Sequence, residues 1–149
     1  MKKTFSHLDR RGAARMVNVG AKPVQQRRAV AAATLVCARR TIRALKAAAL
    51  PKGDVLAVAR IAGIQAAKHT AELIPLCHAL PLHQVTVDFI VKTDRIEIRA
   101  GALSEGKTGV EMEALTAAAV AALTLYDMMK AVDRAMHIEG VRVLLKEKK

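Results

Sequence analysis

Charged side chains at both ends of one long alanine-rich segment are the part of this sequence best suited to chemistry. The segment runs from residue 106 to residue 130, and a plain structural helix rarely carries charges in this arrangement. Lysines and carboxylates at fixed positions can transfer protons to and from a substrate and can bind its charged groups. The charged residues are Lys107, Glu111, Glu113, Asp127 and Lys130.

A nucleotide-binding pattern overlaps the start of this segment. The run from Gly101 to Thr108 reads G-x-x-x-x-G-K-T, the sequence of a phosphate loop, and it lies between a predicted strand and a predicted helix. The preceding strand, however, alternates polar and apolar residues, whereas a strand that feeds a phosphate loop is a buried apolar run. No later apolar strand ends in an aspartate for magnesium, because Asp127 lies on the predicted helix. We therefore interpret the match as accidental.

Lys52 and His78 are further candidates for proton transfer. Lys52 precedes a predicted helix start in a basic surrounding, which disfavours its ammonium form. His78 lies between two prolines and beside Cys77, and it is the best candidate for a group that titrates near neutral pH. Each also has an ordinary structural interpretation, and Asp127 with Lys130 could be a surface ion pair on a helix.

The composition predicts a folded domain that attracts anions. The 149 residues are 52% hydrophobic and only 2% aromatic, so Ala, Val, Leu, Ile and Met must form the core. A net charge of +12 favours a polyphosphate metabolite, nucleic acid or an acidic membrane surface as partner. The few aromatic residues argue against a platform for single-stranded nucleic acid, and the sequence has no familiar nucleic-acid motif. A basic module that binds nucleic acid or anions without catalysis is the alternative hypothesis.

Cysteine content and hydropathy predict a soluble cytoplasmic protein. Cys37 and Cys77 form neither a disulfide framework nor a metal-ligand set, so we expect two reduced thiols and no metal site. The amino terminus is basic but lacks the apolar run of a signal peptide. No uncharged apolar segment reaches the length of a membrane span.

The hydrophobic periodicity predicts a single α+β domain over residues 1–149, with residues 1–12 as a flexible arm. Alternating strands are expected at 84–91 and 95–103, joined as a hairpin, with further strands at 15–19 and 141–146. Helices are expected at 27–38, 41–50, 55–73 with Asp54 as N-cap, and 113–132. This order predicts a ferredoxin-like sandwich, in which an antiparallel sheet of about four strands carries the helices on one face.

Six stretches of the sequence resemble one known family. They are MVNV with AK (16–19 and 21–22), KGD (52–54), ARIAGIQAAK (59–68), LIPLCH (73–78), KTGVEMEALTAA (107–118) and VAALTLYDMMKAV (120–132). They occur in the family's order across most of residues 16–146, and KTGVEMEAL followed by LYDMMK is highly specific. On these motifs the chain resembles the cyclic pyranopterin monophosphate synthase family, molybdenum cofactor biosynthesis protein C. Asn18 and Ala79 depart from the family pattern, which usually has Asp and commonly has Pro at these positions.

The resemblance implies a pyrophosphate-releasing lyase. Members of the family convert a cyclised dihydro-GTP intermediate to cyclic pyranopterin monophosphate. The sequence indicates no required cofactor, and magnesium is possible with the triphosphate. By resemblance the catalytic residues are Lys52, Lys130, Asp127 and His78. The substrate-binding residues implied in the same way are Leu76, Cys77, His78, Met112, Glu113, Arg27, Lys68, Glu111 and Lys146.

Helix geometry adds an argument for a site shared between chains. In a continuous helix Glu113 and Asp127 lie about 21 Å apart, at a rise of about 1.5 Å per residue. One small substrate can hardly contact both ends of one chain's helix, so we expect each site to combine two chains. The resemblance implies a homohexamer, a trimer of dimers with pockets at the dimer interfaces, and no nucleic-acid or membrane partner.

Overall fold

Four strands and four helices follow one another in the order β-α-α-α-β-β-α-β in the computed structural model, which describes residues 6–149. The strands are β1 (Gln25–Val36), β2 (Leu82–Val91), β3 (Arg95–Gly106) and β4 (His137–Lys148). The helices are α1 (Arg39–Lys46), α2 (Val55–Lys68), α3 (Thr70–Leu73) and α4 (Glu111–Met129). Of the arm predicted at 1–12, residues 1–5 lie outside the described part, and residues 6–12 form turns with a bridge between Leu8 and Ala14.

The strands form one antiparallel sheet in the order β2-β3-β1-β4. β2 and β3 pair as the predicted hairpin, and β1 lies between β3 and β4. Helix α4 packs across β1 and β3, and α2 packs against α4 and β2. The predicted α+β ferredoxin-like sandwich is therefore confirmed.

The prediction of a helix at 27–38 is wrong, because this segment belongs to the central strand β1. Its alanines favour a helix in isolation. In the fold, every second residue from Ala29 to Leu35 is buried, and the strand has a hydrogen-bonded neighbour on each side. The small side chains on the buried face leave room for α4 to lie close to the sheet. Tertiary packing overrides local helix propensity here.

The strand predicted at 15–19 is also wrong, although the alternation behind it is real. Val17 and Val19 are partly buried and Asn18 is exposed. The backbone of this segment forms turn hydrogen bonds and bonds with side chains, and it pairs with no neighbouring strand among the described residues. The Val17 carbonyl accepts a hydrogen bond from His78, and the Gly20 carbonyl accepts one from Lys107.

The other helices lie close to their predicted positions. The helix predicted at 41–50 is the shorter α1, which ends at Lys46. The helix predicted at 55–73 is divided at His69 into α2 and α3. Asp54 caps α2 as predicted, since its Oδ1 accepts a hydrogen bond from the Ala57 amide at 3.0 Å.

Helix α4 forms the centre of the core and separates the two groups of predicted site residues. It runs without a break from Glu111 to Met129, so the continuity assumed from the sequence is confirmed. Gly63 of α2 lets the two long helices meet, because a Cβ at this position would lie 2.9 Å from the Ala117 carbonyl oxygen. By length and hydropathy α4 is the one described helix that could cross a membrane, but half of its apolar stretch is buried inside the fold, as in a core helix.

Candidate active site

Asp127 joins two lysines from different parts of the chain near the carboxyl end of α4. Its Oδ2 lies 2.9 Å from Lys52 Nζ, and its Oδ1 lies 2.7 Å from Lys130 Nζ. Lys52 Nζ also donates a hydrogen bond to the Asp127 carbonyl oxygen at 3.1 Å. Lys130 follows the last turn of α4, whereas Lys52 comes from the turn before α2. The structure thus brings together three of the four predicted catalytic residues.

The two ammonium groups keep Asp127 ionised. Hydrogen bonds from Lys130 and from Lys52 lower the pKa of the Asp127 carboxyl to about 2. The contact with Asp127 also raises the pKa of Lys130 above its ordinary value. All three side chains are about half exposed, so the contacts contribute little to stability. Near neutral pH the cluster contains a carboxylate and, at Lys130, a protonated amine that can donate a proton.

A cavity of about 450 Å³ opens beside the cluster of Lys52, Asp127 and Lys130, and we call it the Asp127 cavity. Sequence reasoning did not name three of its lining residues as site residues, Tyr126, Ala131 and Arg134. Tyr126 and Ala131 lie within the family motif at 120–132, whereas Arg134 follows that motif in the chain. The lining residues are Lys52, Tyr126, Lys130, Ala131 and Arg134.

A second cavity, of about 640 Å³, lies at the opposite end of α4. The first turn of the helix contributes one wall, and the irregular segment 74–81 contributes another. Prolines at both ends of that segment keep it out of helix and strand. We call this space the apolar cavity. Its lining includes five of the predicted site residues, Leu76, Cys77, His78, Glu111 and Met112.

His78 connects the apolar cavity to the segment before β1. Its Nε2 lies 2.7 Å from the Val17 carbonyl oxygen. Because a carbonyl oxygen only accepts, Nε2 carries the hydrogen of this bond, and Nδ1 is the acceptor in the neutral ring. Val17 and Val19 line the same cavity, so the bond helps to form its wall. Within one chain His78 lies at the end of α4 opposite Asp127.

Glu113 is buried behind the apolar cavity, with only 3% of its surface exposed. Its Oε1 accepts a weak hydrogen bond from Cys77 Sγ at 3.8 Å, and its Oε2 has no hydrogen-bond partner among the residues that the structure describes. Burial raises the pKa of Glu113 and also the pKa of Cys77. Cys77 is therefore a protonated thiol and not a nucleophile near neutral pH. Glu113 was predicted to bind substrate, but in this chain its side chain is buried and does not line the apolar cavity.

A basic cavity of about 440 Å³ adjoins the apolar cavity and shares Lys22, Thr108 and Gly109 with it. Arg27 is held on one side of it, since its guanidinium donates hydrogen bonds to the carbonyl oxygens of Gly106 at 3.3 Å and Lys107 at 3.5 Å. A lining of this charge suits phosphate groups. The cationic residues of the lining are Lys22, Arg27, Lys107, Lys146 and Lys148.

Glu111 links the two joined cavities. It lines the apolar cavity and forms an ion pair with Lys146, which lines the basic one. Gly109 leaves space for this carboxylate, because a Cβ at position 109 would lie 1.8 Å from Glu111 Oε2. The predicted binding residues Arg27, Glu111 and Lys146 thus lie around one joined space.

Two features from the sequence lie outside these groups. Lys68 is exposed at the end of α2 and lines none of the three cavities formed by the described residues. The phosphate-loop match is accidental, as predicted, because Gly101 to Gly106 belong to strand β3 of an antiparallel sheet and form no loop around an anion. Within residues 6–149, no three His, Cys, Asp or Glu side chains lie close enough together to hold a metal ion.

Comparison with known proteins identifies the family. The sequence profile of the MoaC family matches residues 16–149. The chain belongs to the MoaC family. A relative named cyclic pyranopterin monophosphate synthase, from Chloroflexus aggregans, is 54% identical over 95% of this chain and 87% of that protein. The relative of the same name from Novosphingobium aromaticivorans is 53% identical over 95% of this chain and 90% of that protein.

A Mycobacterium bovis protein, named cyclic pyranopterin monophosphate synthase 2, is 56% identical over 96% of this chain and 86% of that protein. These matches confirm the family resemblance that the motifs indicated. The MoaC match begins at Met16, just before the segment that His78 and Lys107 hold, and continues through β4. It therefore covers the Asp127 cavity and the basic cavity completely.

Proposed function

We propose that this MoaC-family chain is a cyclic pyranopterin monophosphate synthase of molybdenum cofactor biosynthesis. It acts as a pyrophosphate-releasing lyase on the cyclised dihydro-GTP intermediate. The observation that carries the proposal is the cluster in which one ionised carboxylate, Asp127, orients the amines of Lys52 and Lys130 beside a cavity. Relatives that match nearly the whole chain bear the name of this activity.

Proton transfer is the task of the Asp127 cluster. Rearrangement of the substrate ring requires protons to be added to and removed from nitrogen and carbon. We assign Lys130 the role of proton donor because its amine is protonated near neutral pH, although the contact with Asp127 raises its pKa and makes it a weaker acid than a free lysine. Lys52 is the second proton-transfer group and contacts the other oxygen of the same carboxylate. Asp127 stays ionised and keeps both amines in position.

Formation of the cyclic phosphate needs positive charge near the triphosphate. A hydroxyl of the sugar-derived part attacks the α-phosphorus, the bond from that phosphorus to the bridging oxygen breaks, and pyrophosphate leaves with the negative charge. The basic cavity supplies the cations that stabilise this charge, including Arg27, Lys107 and Lys146. Magnesium that arrives with the triphosphate would share this role, and we assign no resident cofactor.

The apolar cavity is the site proposed for the ring of the substrate. Leu76 and Met112 provide apolar surface, and the unpartnered Oε2 of Glu113 lies behind them. A flat ring would fill this apolar space. The adjoining basic cavity then receives the phosphate chain of the same molecule.

We propose that each complete site combines the Asp127 cavity of one chain with the joined apolar and basic cavities of another. Within one chain the two parts lie at opposite ends of α4, with Glu113 and Asp127 about 21 Å apart at about 1.5 Å per residue. A hexamer built as a trimer of dimers would bring them together. Exposed apolar side chains support burial against other copies, both on β4 and on the outer face of the helices. They are Val141, Val143, Leu144, Val58, Ile61 and Leu123.

Incubation of the purified protein with the cyclised dihydro-GTP intermediate tests the proposed function. Cyclic pyranopterin monophosphate is identified by mass, and pyrophosphate is quantified in the same reaction. We expect both products in equal amounts. Tight, salt-dependent binding to arbitrary DNA or RNA without any conversion would contradict the proposal and support the basic binding module instead.

A further inference from the structure

Arg134 is a cation of the Asp127 cavity that the proposed mechanism does not use. It lies in the connection between α4 and β4 and lines the cavity together with Lys52 and Lys130. In the part of the chain that the structure describes, Arg134 forms no ion pair with a carboxylate. Its five N–H donors are therefore available to a ligand.

The charges around the Asp127 cavity do not balance. Lys52, Lys130 and Arg134 contribute three positive charges, and Asp127 contributes one negative charge. Each oxygen of Asp127 accepts a hydrogen bond from one lysine, and among the described residues Arg134 forms no ion pair with this carboxylate. An anionic ligand would neutralise the surplus positive charge and could bind the guanidinium of Arg134.

Asp133 fixes the backbone that carries Arg134. Its buried carboxylate accepts hydrogen bonds from the Ala38 amide at 2.8 Å, the Thr41 hydroxyl at 2.9 Å and the Ala135 amide at 3.1 Å. These bonds tie the residues on both sides of Arg134 to the start of α1. They also occupy the acidic residue next to Arg134 in sequence. The base of the arginine is thus held at the cavity while its charged group stays free.

We infer that Arg134 binds phosphate oxygens of the substrate in the Asp127 cavity. The identity of this substrate rests on the proposed function, whereas the anion site itself rests on the geometry. A guanidinium is planar and can donate two parallel hydrogen bonds to two oxygens of one phosphate group. Arg134 thereby neutralises the phosphate, while Lys52 and Lys130 keep their contacts with Asp127 for proton transfer.

The test compares Arg134→Gln with Arg134→Lys and with a matched control, Arg43→Gln. Arg43 is an exposed arginine of α1 outside the cavity lining, so its variant removes the same charge elsewhere. In Arg134→Gln we expect KM and the inhibition constant of pyrophosphate to rise about tenfold to a hundredfold, the range expected for a lost charge-assisted contact. Arg134→Lys should recover part of the effect, and Arg43→Gln should behave like the parent. Calorimetric titration with pyrophosphate measures the same contact without turnover.

Two results would overturn the inference. One is an Arg134→Gln variant with the parent's KM and the parent's affinity for pyrophosphate. The other is an equal loss in Arg43→Gln, which would assign the effect to overall charge. The proposed function is tested separately. If the parent protein binds pyrophosphate through Arg134 but converts no substrate, the proposed enzymatic activity is wrong, while the proposed anion site at Arg134 stands.

Discussion

Lys130 follows Asp127 by three residues at the end of α4, and its Nζ lies 2.7 Å from Asp127 Oδ1. This contact positions the amine of Lys130, which lies at the same end of the helix. The other oxygen of Asp127 positions the amine of Lys52, which comes from the turn before α2. The carboxylate therefore stays ionised and orients both amines, which is the arrangement that the proposed chemistry requires.

Replacement of either lysine should abolish most activity without unfolding the protein. We expect Lys52→Ala and Lys130→Ala each to lower kcat by about 10²- to 10⁴-fold, the usual contribution of a proton-transfer group. Because both side chains are about half exposed, the melting temperature should change little. Pyrophosphate release and thermal unfolding measure the two effects, with the exposed Lys46→Ala as control. A folded variant that retains the parent rate would refute the assigned roles.

The titration of Asp127 should depend on its partners. The hydrogen bonds from Lys130 and Lys52 hold the pKa of its carboxyl at about 2 in the parent. In Lys130→Ala the first of these contacts is lost, so the titration midpoint should move up towards the ordinary value of 3.8. Carbon NMR of the labelled carboxyl group measures the shift. An unchanged midpoint would mean that the ion pair does not form in solution.

Asp133 should stabilise the fold in a pH-dependent way. The hydrogen bond from the Ala38 amide, ahead of the other contacts, lowers the pKa of Asp133 below 3.8. Its contribution is therefore fully present above 3.8 and is lost as the pH falls through the lowered native value. We expect Asp133→Ala to lower the free energy of unfolding at neutral pH by about 1–3 kcal/mol, since it leaves buried donors unpaired. Urea unfolding measures this free energy in the variant and in the parent. The difference between them should shrink below pH 3.8, and a difference that stays constant with pH would contradict the assignment.

The contribution of Glu113 to stability should depend on pH in the opposite direction to that of Asp133. Burial raises the pKa of Glu113 above 4.5, so the native state favours the protonated acid. Its contribution is present below 4.5 and is lost as the pH rises through the raised native value. Glu113→Gln should therefore be at least as stable as the parent at neutral pH, as measured by urea unfolding. A variant less stable than the parent at pH 7 but equal to it at pH 4 would contradict the assignment.

The sequence was sufficient for the fold class and for several of its elements. Period-two alternation correctly predicted the hairpin of β2 and β3, and Asp54 marked the start of α2. The segment 27–38 was wrongly predicted as a helix because alanine has a high helix propensity. In the fold its alanines pack closely under α4, and local propensity carries no information about this tertiary contact. The predicted order of elements still agrees with the fold, because β1 replaces the first strand and the helix predicted at 27–38, and the helix predicted at 55–73 is divided into α2 and α3.

The geometry of the site was only partly accessible from the sequence. The separation of Glu113 from Asp127 followed from helix length alone, because α4 proved continuous. The joining of Lys52 to Asp127 depends on tertiary packing across 75 residues of sequence and came only from the family resemblance. Arg134 belongs to no motif, and only the fold places it in the lining of the Asp127 cavity.

The most direct test of the shared catalytic site is pyrophosphate release by a mixed assembly. Lys130→Ala impairs the Asp127 cavity, and Arg27→Ala impairs the basic cavity of the same chain. Each variant alone should be nearly inactive. When the two are co-expressed and assemble at random across two-fold interfaces, about a quarter of the sites should be intact, and activity should recover to about a quarter of the parent's. Activity no higher than that of the separate variants would contradict a site shared between chains.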